Sequence, residues 1–112
     1  MDIHTFEQAR HSQNKMMSEN DEFFKQFGEL DNTVYSEGAI PKKYKELAGL
    51  SISVFARCEE CVMYHVKGCV TENATKFEII EAIKIAVIGG GSITYPTARF
   101  AFKALKALGV LE

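Results

Sequence analysis

The chain has 112 residues, a formal net charge of −2 and a pI near 5.9, so a single domain is the default and there is no basic excess. Binding to nucleic acid or to an anionic membrane would need a clustered face of Lys and Arg, but the basic residues are scattered. The longest apolar run, residues 85–88, is far too short to cross a bilayer. We therefore expect neither nucleic acid nor membrane as a partner.

The cysteine count and the polar N-terminal region indicate the cellular compartment. Residues 1–20 are polar and mixed in charge, without the apolar segment of a secretory signal peptide. Three cysteines are an odd number, which argues against a framework of structural disulfides and for reactive or metal-binding thiols. We therefore expect a cytoplasmic protein.

Hydrophobic spacing predicts an all-α bundle of about five to six helices in a single domain, residues 1–112. The sparse apolar positions near the N-terminus predict one or two helices that end near Gly28, with residues 1–25 forming an N-terminal helical extension. Residues 31–38 are predicted to be a connection.

The pattern sharpens after residue 40. Pro41 is placed to begin a helix, and the next helix carries residues 58–71. Thr75 and Glu78 form a capping box at the start of another helix, and the last helix runs from about residue 94 to 108. The predicted core face of that last helix, and the glycine that ends it, are Ala98, Ala101, Phe102, Leu105 and Gly109.

The helix after Thr75 is apolar on nearly every side between residues 79 and 88. A helix of this kind is normally enclosed by protein all round, and a small domain has little surface with which to cover it. We favour cover from a second subunit, and hence a homo-oligomer; a central helix in a monomeric bundle is the alternative.

Residues 85–92 look like a buried strand followed by a phosphate-binding turn. A dinucleotide-binding fingerprint would need glycine or alanine at Thr94, and then a helix, another strand and an acidic residue. The twenty residues after Ser92 predict one helix only. The glycines at 89–91 are better explained as a tight reversal between packed helices, and no cofactor is expected.

The residues suited to chemistry form the pattern Cys58-x-x-Cys61-x-x-x-His65. At about 100° per residue all three lie on one stripe of a helix. Helical Cα atoms three residues apart are about 5–6 Å from each other, so the thiols can alternate between dithiol and disulfide. The first turn of a helix lowers a thiol pKa, and His65 could take the proton or pair with the thiolate, whereas Glu59 and Glu60 disfavour the thiolate.

Zinc is the competing use of the same three side chains. Cys69 lies on the same stripe but about 16 Å along the helix axis from Cys58, and zinc–sulfur bonds of about 2.3 Å cannot bridge that distance. His4 and His11 are isolated in the polar N-terminal region. We expect no metal, and we expect Cys69 to be an inert core residue.

The stretch from Glu46 to His65 reads E-x(11)-C-x-x-C-x-x-x-H. It resembles the signature of the alkylhydroperoxidase AhpD-like branch of the carboxymuconolactone decarboxylase family. The resemblance extends from about residue 27 to residue 108, and the segments that carry it besides the signature are residues 28–30, 74–75 and 89–91.

This resemblance implies an all-helical fold that assembles as trimers or hexamers, with peroxidase activity on a hydroperoxide. Carried over residue by residue, Cys61 would form a sulfenic acid and Cys58 would close a disulfide on it. Glu46 and His65 would form a proton relay, and a dithiol or disulfide-reductase electron donor would restore the thiols. The well-studied members have a histidine immediately before the second cysteine, where this chain has Glu60.

Helix register gives a separate argument for Glu46. If the chain reverses near Arg57, Glu46 lies eleven residues before the reversal and His65 eight residues after it. In an antiparallel helix pair these positions have nearly the same height. We expect Glu46 to orient His65 and His65 to serve Cys61; a solvated carboxylate is the alternative for Glu46.

Three functions fit these observations. The first is a thiol-dependent hydroperoxide reductase, the second is decarboxylation of a small cyclic lactone, and the third is a non-catalytic redox-sensing oligomer. Lactone decarboxylation does not need a redox dithiol, so the paired cysteines favour the first.

Overall fold

The structure, a computed structural model that describes residues Met1–Glu112, contains six α-helices and one short 3-10 helix at Ser92–Thr94. The α-helices are Ile3–Asn20 (α1), Glu22–Val34 (α2), Lys42–Phe55 (α3), Glu59–Thr71 (α4), Lys76–Gly90 (α5) and Tyr95–Ala107 (α6). No β-strand is present. The predicted all-α class is confirmed.

Residues Met1–Ser36 form one compact unit, which consists of α1 and α2. The carboxylates of Asp2 and Asp21 cap the two helices by accepting hydrogen bonds from backbone N–H groups in their first turns. Neither helix contains a buried residue. The predicted N-terminal extension, residues 1–25, lies within this unit.

The end of α2 differs from the prediction. The helix passes through Gly28 and continues to Val34, so the predicted end near Gly28 is wrong and the predicted connection over residues 31–38 begins too early. A glycine inside a helix costs only about 1 kcal/mol. The apolar residues Phe27, Leu30 and Val34 keep helical spacing across and beyond it, and that amphipathic pattern continues the helix.

Residues Glu37–Glu112 form the second compact unit, in which α3 packs against α4 and α5 while α6 packs against α4. Its core is aliphatic, and the four largest fully buried side chains are Leu50, Met63, Ile79 and Leu105. This packing fixes the relative positions of α3 and α4, which carry the predicted site residues.

The chain reverses between α3 and α4 at Arg57, as predicted. Arg57 has a φ of 60°, and the turn is a Schellman motif: the N–H of Cys58 donates to the Ser53 carbonyl at 3.0 Å, and the N–H of Arg57 donates to the Val54 carbonyl at 3.1 Å. Cys58 is the N-cap, so α4 begins at Glu59, one residue later than predicted.

The capping box at the start of α5 is present as predicted. The Thr75 hydroxyl accepts from the N–H of Glu78 at 3.1 Å, and the Glu78 carboxylate accepts from the N–H of Thr75 at 2.8 Å. Residues 85–88 are helical, and the helix ends at the glycine run, where Gly91 takes a φ of 79°. The predicted reversal at this run is confirmed.

The last helix, α6, also agrees with the prediction except at one core position. Ala98, Ala101 and Leu105 are buried, and Gly109 follows the helix with a φ of 81°. Phe102 is 39% exposed, so its assignment to the core was wrong. The buried stripe is centred on small side chains, and Phe102 lies at its edge.

The outward side of α5 is open in the single chain. Ile85 is 64% exposed and Ile88 is 87% exposed, whereas Ile79, Ala82 and Ile83 are buried. We predicted that protein encloses this helix on all sides. The chain itself covers one side of the helix and leaves the other side exposed.

Replacing Thr75 by Ala should lower the free energy of unfolding by about 1 kcal/mol, because the substitution removes the hydroxyl acceptor at the N-cap of α5. Thr75→Ser keeps that acceptor and serves as the matched control. Urea denaturation followed by circular dichroism measures the difference. Equal stability of Thr75→Ala and the wild type would contradict a contribution from the cap.

Candidate active site

Glu46 of α3 and His65 of α4 meet inside the second unit. The Oε2 atom of Glu46 lies 2.9 Å from the Nδ1 atom of His65, and the two residues are only 2% and 9% exposed. Because a carboxylate can only accept hydrogen bonds, Nδ1 of His65 is the donor in this contact. The prediction that Glu46 orients His65 agrees with this contact, and a solvated carboxylate does not.

Lys42 holds the other oxygen of the Glu46 carboxylate. Its Nζ atom lies 3.1 Å from Oε1, and the two residues are four apart on α3. Sequence reasoning missed Lys42. The available signal was the lysine one helical turn before the acid, a spacing that brings the two side chains together.

Burial alone would raise the pKa of Glu46, since a carboxylate is stabilised by water. The hydrogen bonds from His65 and Lys42 outweigh that effect and hold the pKa of Glu46 below its usual value. Glu46 is therefore a carboxylate with a cationic or hydrogen-bonding partner on each oxygen. The site combines a fixed negative charge with an oriented imidazole.

Two glycines make room for this pair, and sequence reasoning missed both. A Cβ at Gly49 would lie 2.6 Å from the imidazole ring of His65, and a Cβ at Gly68 would overlap the carboxylate of Glu46. The available signal was a glycine in the interior of each of two helices, where glycine is destabilising without a packing reason. Close approach of α3 and α4 at these positions is that reason.

Cys58 and Cys61 form a disulfide with Cα atoms 5.3 Å apart. Cys58 is the N-cap of α4, and its Sγ atom accepts a hydrogen bond from the N–H of Cys61 at 3.2 Å. Cys61 is exposed and lies one turn before His65 on the same helix. The predicted pairing geometry is therefore present, with Cys58 at the helix boundary and not inside the helix.

The third cysteine, Cys69, is outside the disulfide pair and is a free thiol. Cys69 is fully buried in the core, and burial raises the pKa of its thiol to about 12. A thiol in that state is protonated and weakly nucleophilic. No group of three or more His, Cys, Asp or Glu side chains is arranged to hold a metal ion.

Residues 21–107 match the model of the carboxymuconolactone decarboxylase family. The chain belongs to this family. A family member from Thermotoga maritima, for which a role in antioxidative response has been suggested, has a crystal structure that matches with a TM-score of 0.88 and 41% identity, over 93% of this chain and 89% of the other. A second member, from Legionella pneumophila, matches with a TM-score of 0.82 and 28% identity over 93% of both chains.

A curated relative without an assigned function supports the same membership. The chain is 34% identical to uncharacterized protein 4 of the cox locus from Paracoccus denitrificans, over 74% of this chain and 69% of that protein. None of the helices has the length and hydropathy needed to cross a membrane.

Substitution of Gly68 by Ala should destabilise the protein by about 1–3 kcal/mol, because the added methyl group forces the Glu46 carboxylate away from its buried partner. Gly28→Ala is the matched control. Gly28 is also inside a helix, but a Cβ there meets nothing within 4 Å, so alanine should stabilise by about 0.5–1 kcal/mol. Urea denaturation of both variants tests the opposite signs, and stabilisation by Gly68→Ala would contradict the close approach.

The lowered pKa of Glu46 predicts a component of stability that is lost in acid. A carboxyl group with a lower pKa in the folded state stabilises that state fully above its ordinary pKa of 4.5, and the contribution disappears as the pH falls through the folded value. Unfolding free energies of the wild type and Glu46→Gln, measured from pH 7 to pH 3, should therefore converge at the acid end. A constant difference across this range would contradict the ionised pair.

Proposed function

We propose that this protein is a thiol-dependent hydroperoxide reductase that uses Cys58 and Cys61 in a dithiol–disulfide cycle. The observation that carries the proposal is the Cys58–Cys61 disulfide, located one helical turn before an imidazole that a buried carboxylate orients. The suggested antioxidative role of the Thermotoga maritima family member is consistent with it.

The first step reduces the peroxide at Cys61. His65 takes the thiol proton at Nε2, since Nδ1 already donates to Glu46. The thiolate attacks the terminal, hydrogen-bearing oxygen of the hydroperoxide, and the O–O bond breaks. Cys61 becomes a sulfenic acid, and the departing alkoxide takes the proton from His65 and leaves as an alcohol.

The second step closes the disulfide. The Cys58 sulfur attacks the Cys61 sulfur, and hydroxide leaves with the Cys58 proton as water. The Cα separation of 5.3 Å allows this bond without a large backbone movement. Two electrons from a dithiol or a disulfide reductase then restore both thiols by exchange, and the donor leaves as a disulfide.

The acidic residues beside the cysteines set a limit on the rate. Glu59 and Glu60 are exposed in the first turn of α4, and their charges disfavour a neighbouring thiolate. Because Glu60 stands in the place of a histidine, Glu46 and His65 are the only residues that transfer protons in this scheme. We therefore expect a slower peroxidase than one with a second imidazole at that position.

The paired cysteines also separate this proposal from the two alternatives. Decarboxylation of a cyclic lactone leaves the oxidation state of the protein unchanged, so that reaction does not require a disulfide. A non-catalytic redox sensor would form the disulfide once per molecule and would not turn over with a donor present.

We also propose that the protein is a homo-oligomer, a trimer or a hexamer. Large apolar side chains are exposed along α2 and on the outward side of α5, which is unusual for a monomer. These side chains are Phe23, Phe27, Leu30, Val34, Ile85 and Ile88.

Replacement of Cys61 by Ser should abolish hydroperoxide turnover with dithiothreitol as the donor, because the reacting sulfur is removed. Cys58→Ser lacks the thiol that closes the disulfide, so peroxide added in the absence of dithiothreitol should leave a sulfenic acid on Cys61, which dimedone labels. Cys69→Ala is the control and should keep the wild-type rate, since that thiol is buried and protonated. Turnover by Cys61→Ser at the wild-type rate would refute the assignment.

A further inference from the structure

The Glu46 carboxylate is held at both oxygens, although the proposed chemistry uses only one of them. The Nδ1 atom of His65 lies 2.9 Å from Oε2, and the Nζ atom of Lys42 lies 3.1 Å from Oε1. A carboxylate with a single partner can rotate about its last side-chain bond, since that torsion is broad and its two oxygens are equivalent. A second partner on the opposite oxygen removes that freedom and fixes the direction in which Oε2 points.

We propose that Lys42 is a positioning residue of the reductase, which holds Oε1 of Glu46 so that Oε2 keeps its hydrogen bond to Nδ1 of His65. The proposal rests on the proposed function for its effect on turnover, but its structural part concerns only Lys42, Glu46 and His65. Lys42 does not touch the cysteines in this scheme and acts through Glu46.

The backbone around Lys42 is itself fixed. Lys42 is the first residue of α3, and its N–H donates to the carboxylate of Glu37 at 3.3 Å, in the place of a side-chain cap from Pro41. The Lys42 side chain is about one-third exposed, while the Glu46 side chain that it contacts is buried. The lysine therefore reaches from the surface into the site along the first turn of α3.

Four other titratable groups act on Lys42, on Glu46 or on a neighbour of Glu46. Tyr64 and Glu72 act on Lys42 from α4 and its C-cap, and both favour its charged form. On the other side, Cys69 is close enough to Glu46 for the two to interact, and Glu78 of α5 acts on the same thiol. None of these groups replaces Lys42 as a hydrogen-bond donor to Oε1.

Lys42 also keeps Glu46 ionised. Burial acts to raise the pKa of Glu46, and the hydrogen bonds from His65 and Lys42 lower it below the usual value. Without Lys42 the pKa of Glu46 should rise. A protonated Glu46 has one acceptor oxygen fewer, so the hydrogen bond that selects the Nδ1–H form of His65 weakens as the pH falls.

The adjacent lysine provides a matched control. Lys43 is the next residue on α3, carries the same charge and pairs with Glu78 at 3.1 Å, not with Glu46. Lys42→Met and Lys43→Met therefore change the net charge equally, but only the first removes the partner of Oε1. Lys42→Arg restores a donor, and Lys42→Gln is a second, polar replacement.

The experiment measures the titration of Glu46 and the turnover of the same variants. Protein labelled with ¹³C at the glutamate carboxyl carbon is titrated by NMR, with Glu46→Gln identifying the signal. Lys42→Met and Lys42→Gln should raise the Glu46 midpoint by about 0.5 to 1. Lys43→Met and Lys42→Arg should leave it near the wild-type value.

In the peroxide assay, Lys42→Met should lower kcat about three- to thirtyfold and move the acidic limb of the pH profile upward, with Lys42→Arg recovering most of the rate. An unchanged Glu46 midpoint in Lys42→Met would overturn the proposal, as would a raised midpoint with unaltered turnover and pH profile. If the wild type reduces no hydroperoxide, the proposed function fails; the NMR titration then still decides whether Lys42 holds Glu46.

Discussion

The hydrogen bond between the buried carboxylate of Glu46 and the imidazole of His65 is the contact on which the site depends. It joins two helices that are nineteen residues apart in sequence at that point, so it requires α3 and α4 to pack in one register. The Schellman turn at Arg57 sets that register. Gly49 and Gly68 then allow the two backbones to come close enough for the side chains to meet.

In the proposed cycle, acid–base chemistry and electron exchange take place at different depths of the site. The Glu46–His65 pair is buried, where a hydrogen bond is strong and the imidazole is held in one orientation. The cysteines lie at the start of α4, where Cys61 is exposed and would be accessible to the proposed electron donor. One helical turn separates the two functions, which is near enough for a proton to pass between Cys61 and His65 in the proposed cycle. Cys69 takes no part because burial keeps its thiol protonated.

The features that sequence predicted are those with a local physical signal. Hydrophobic spacing predicted the helices of the second unit, Thr75 and Glu78 predicted a cap, and the Cys58–Cys61 spacing predicted a pair that can close a disulfide. Helix register and resemblance to a family signature both predicted that Glu46 lies beside His65. Each of these signals is contained in a few neighbouring residues or in a simple count along two helices.

The features that sequence missed depend on contacts between distant segments. Glycine at 49 or 68 has no local reason to be there, and its reason is a side chain on the facing helix. Phe102 has the right spacing for a core residue but lies at the edge of a stripe filled by small side chains. Gly28 indicated a helix end, but the apolar pattern continues beyond it and the helix extends to Val34. The outward side of α5 is left open by its own chain, so its cover depends on what binds there.

The most direct measurement is a single turnover of the fully reduced protein with one equivalent of tert-butyl hydroperoxide, followed by rapid acid quench and mass spectrometry. The account predicts one equivalent of tert-butanol for each protein molecule that loses two hydrogen atoms, with the new bond located between Cys58 and Cys61. Alcohol formed without that disulfide, or thiols that survive the peroxide unchanged, would contradict it.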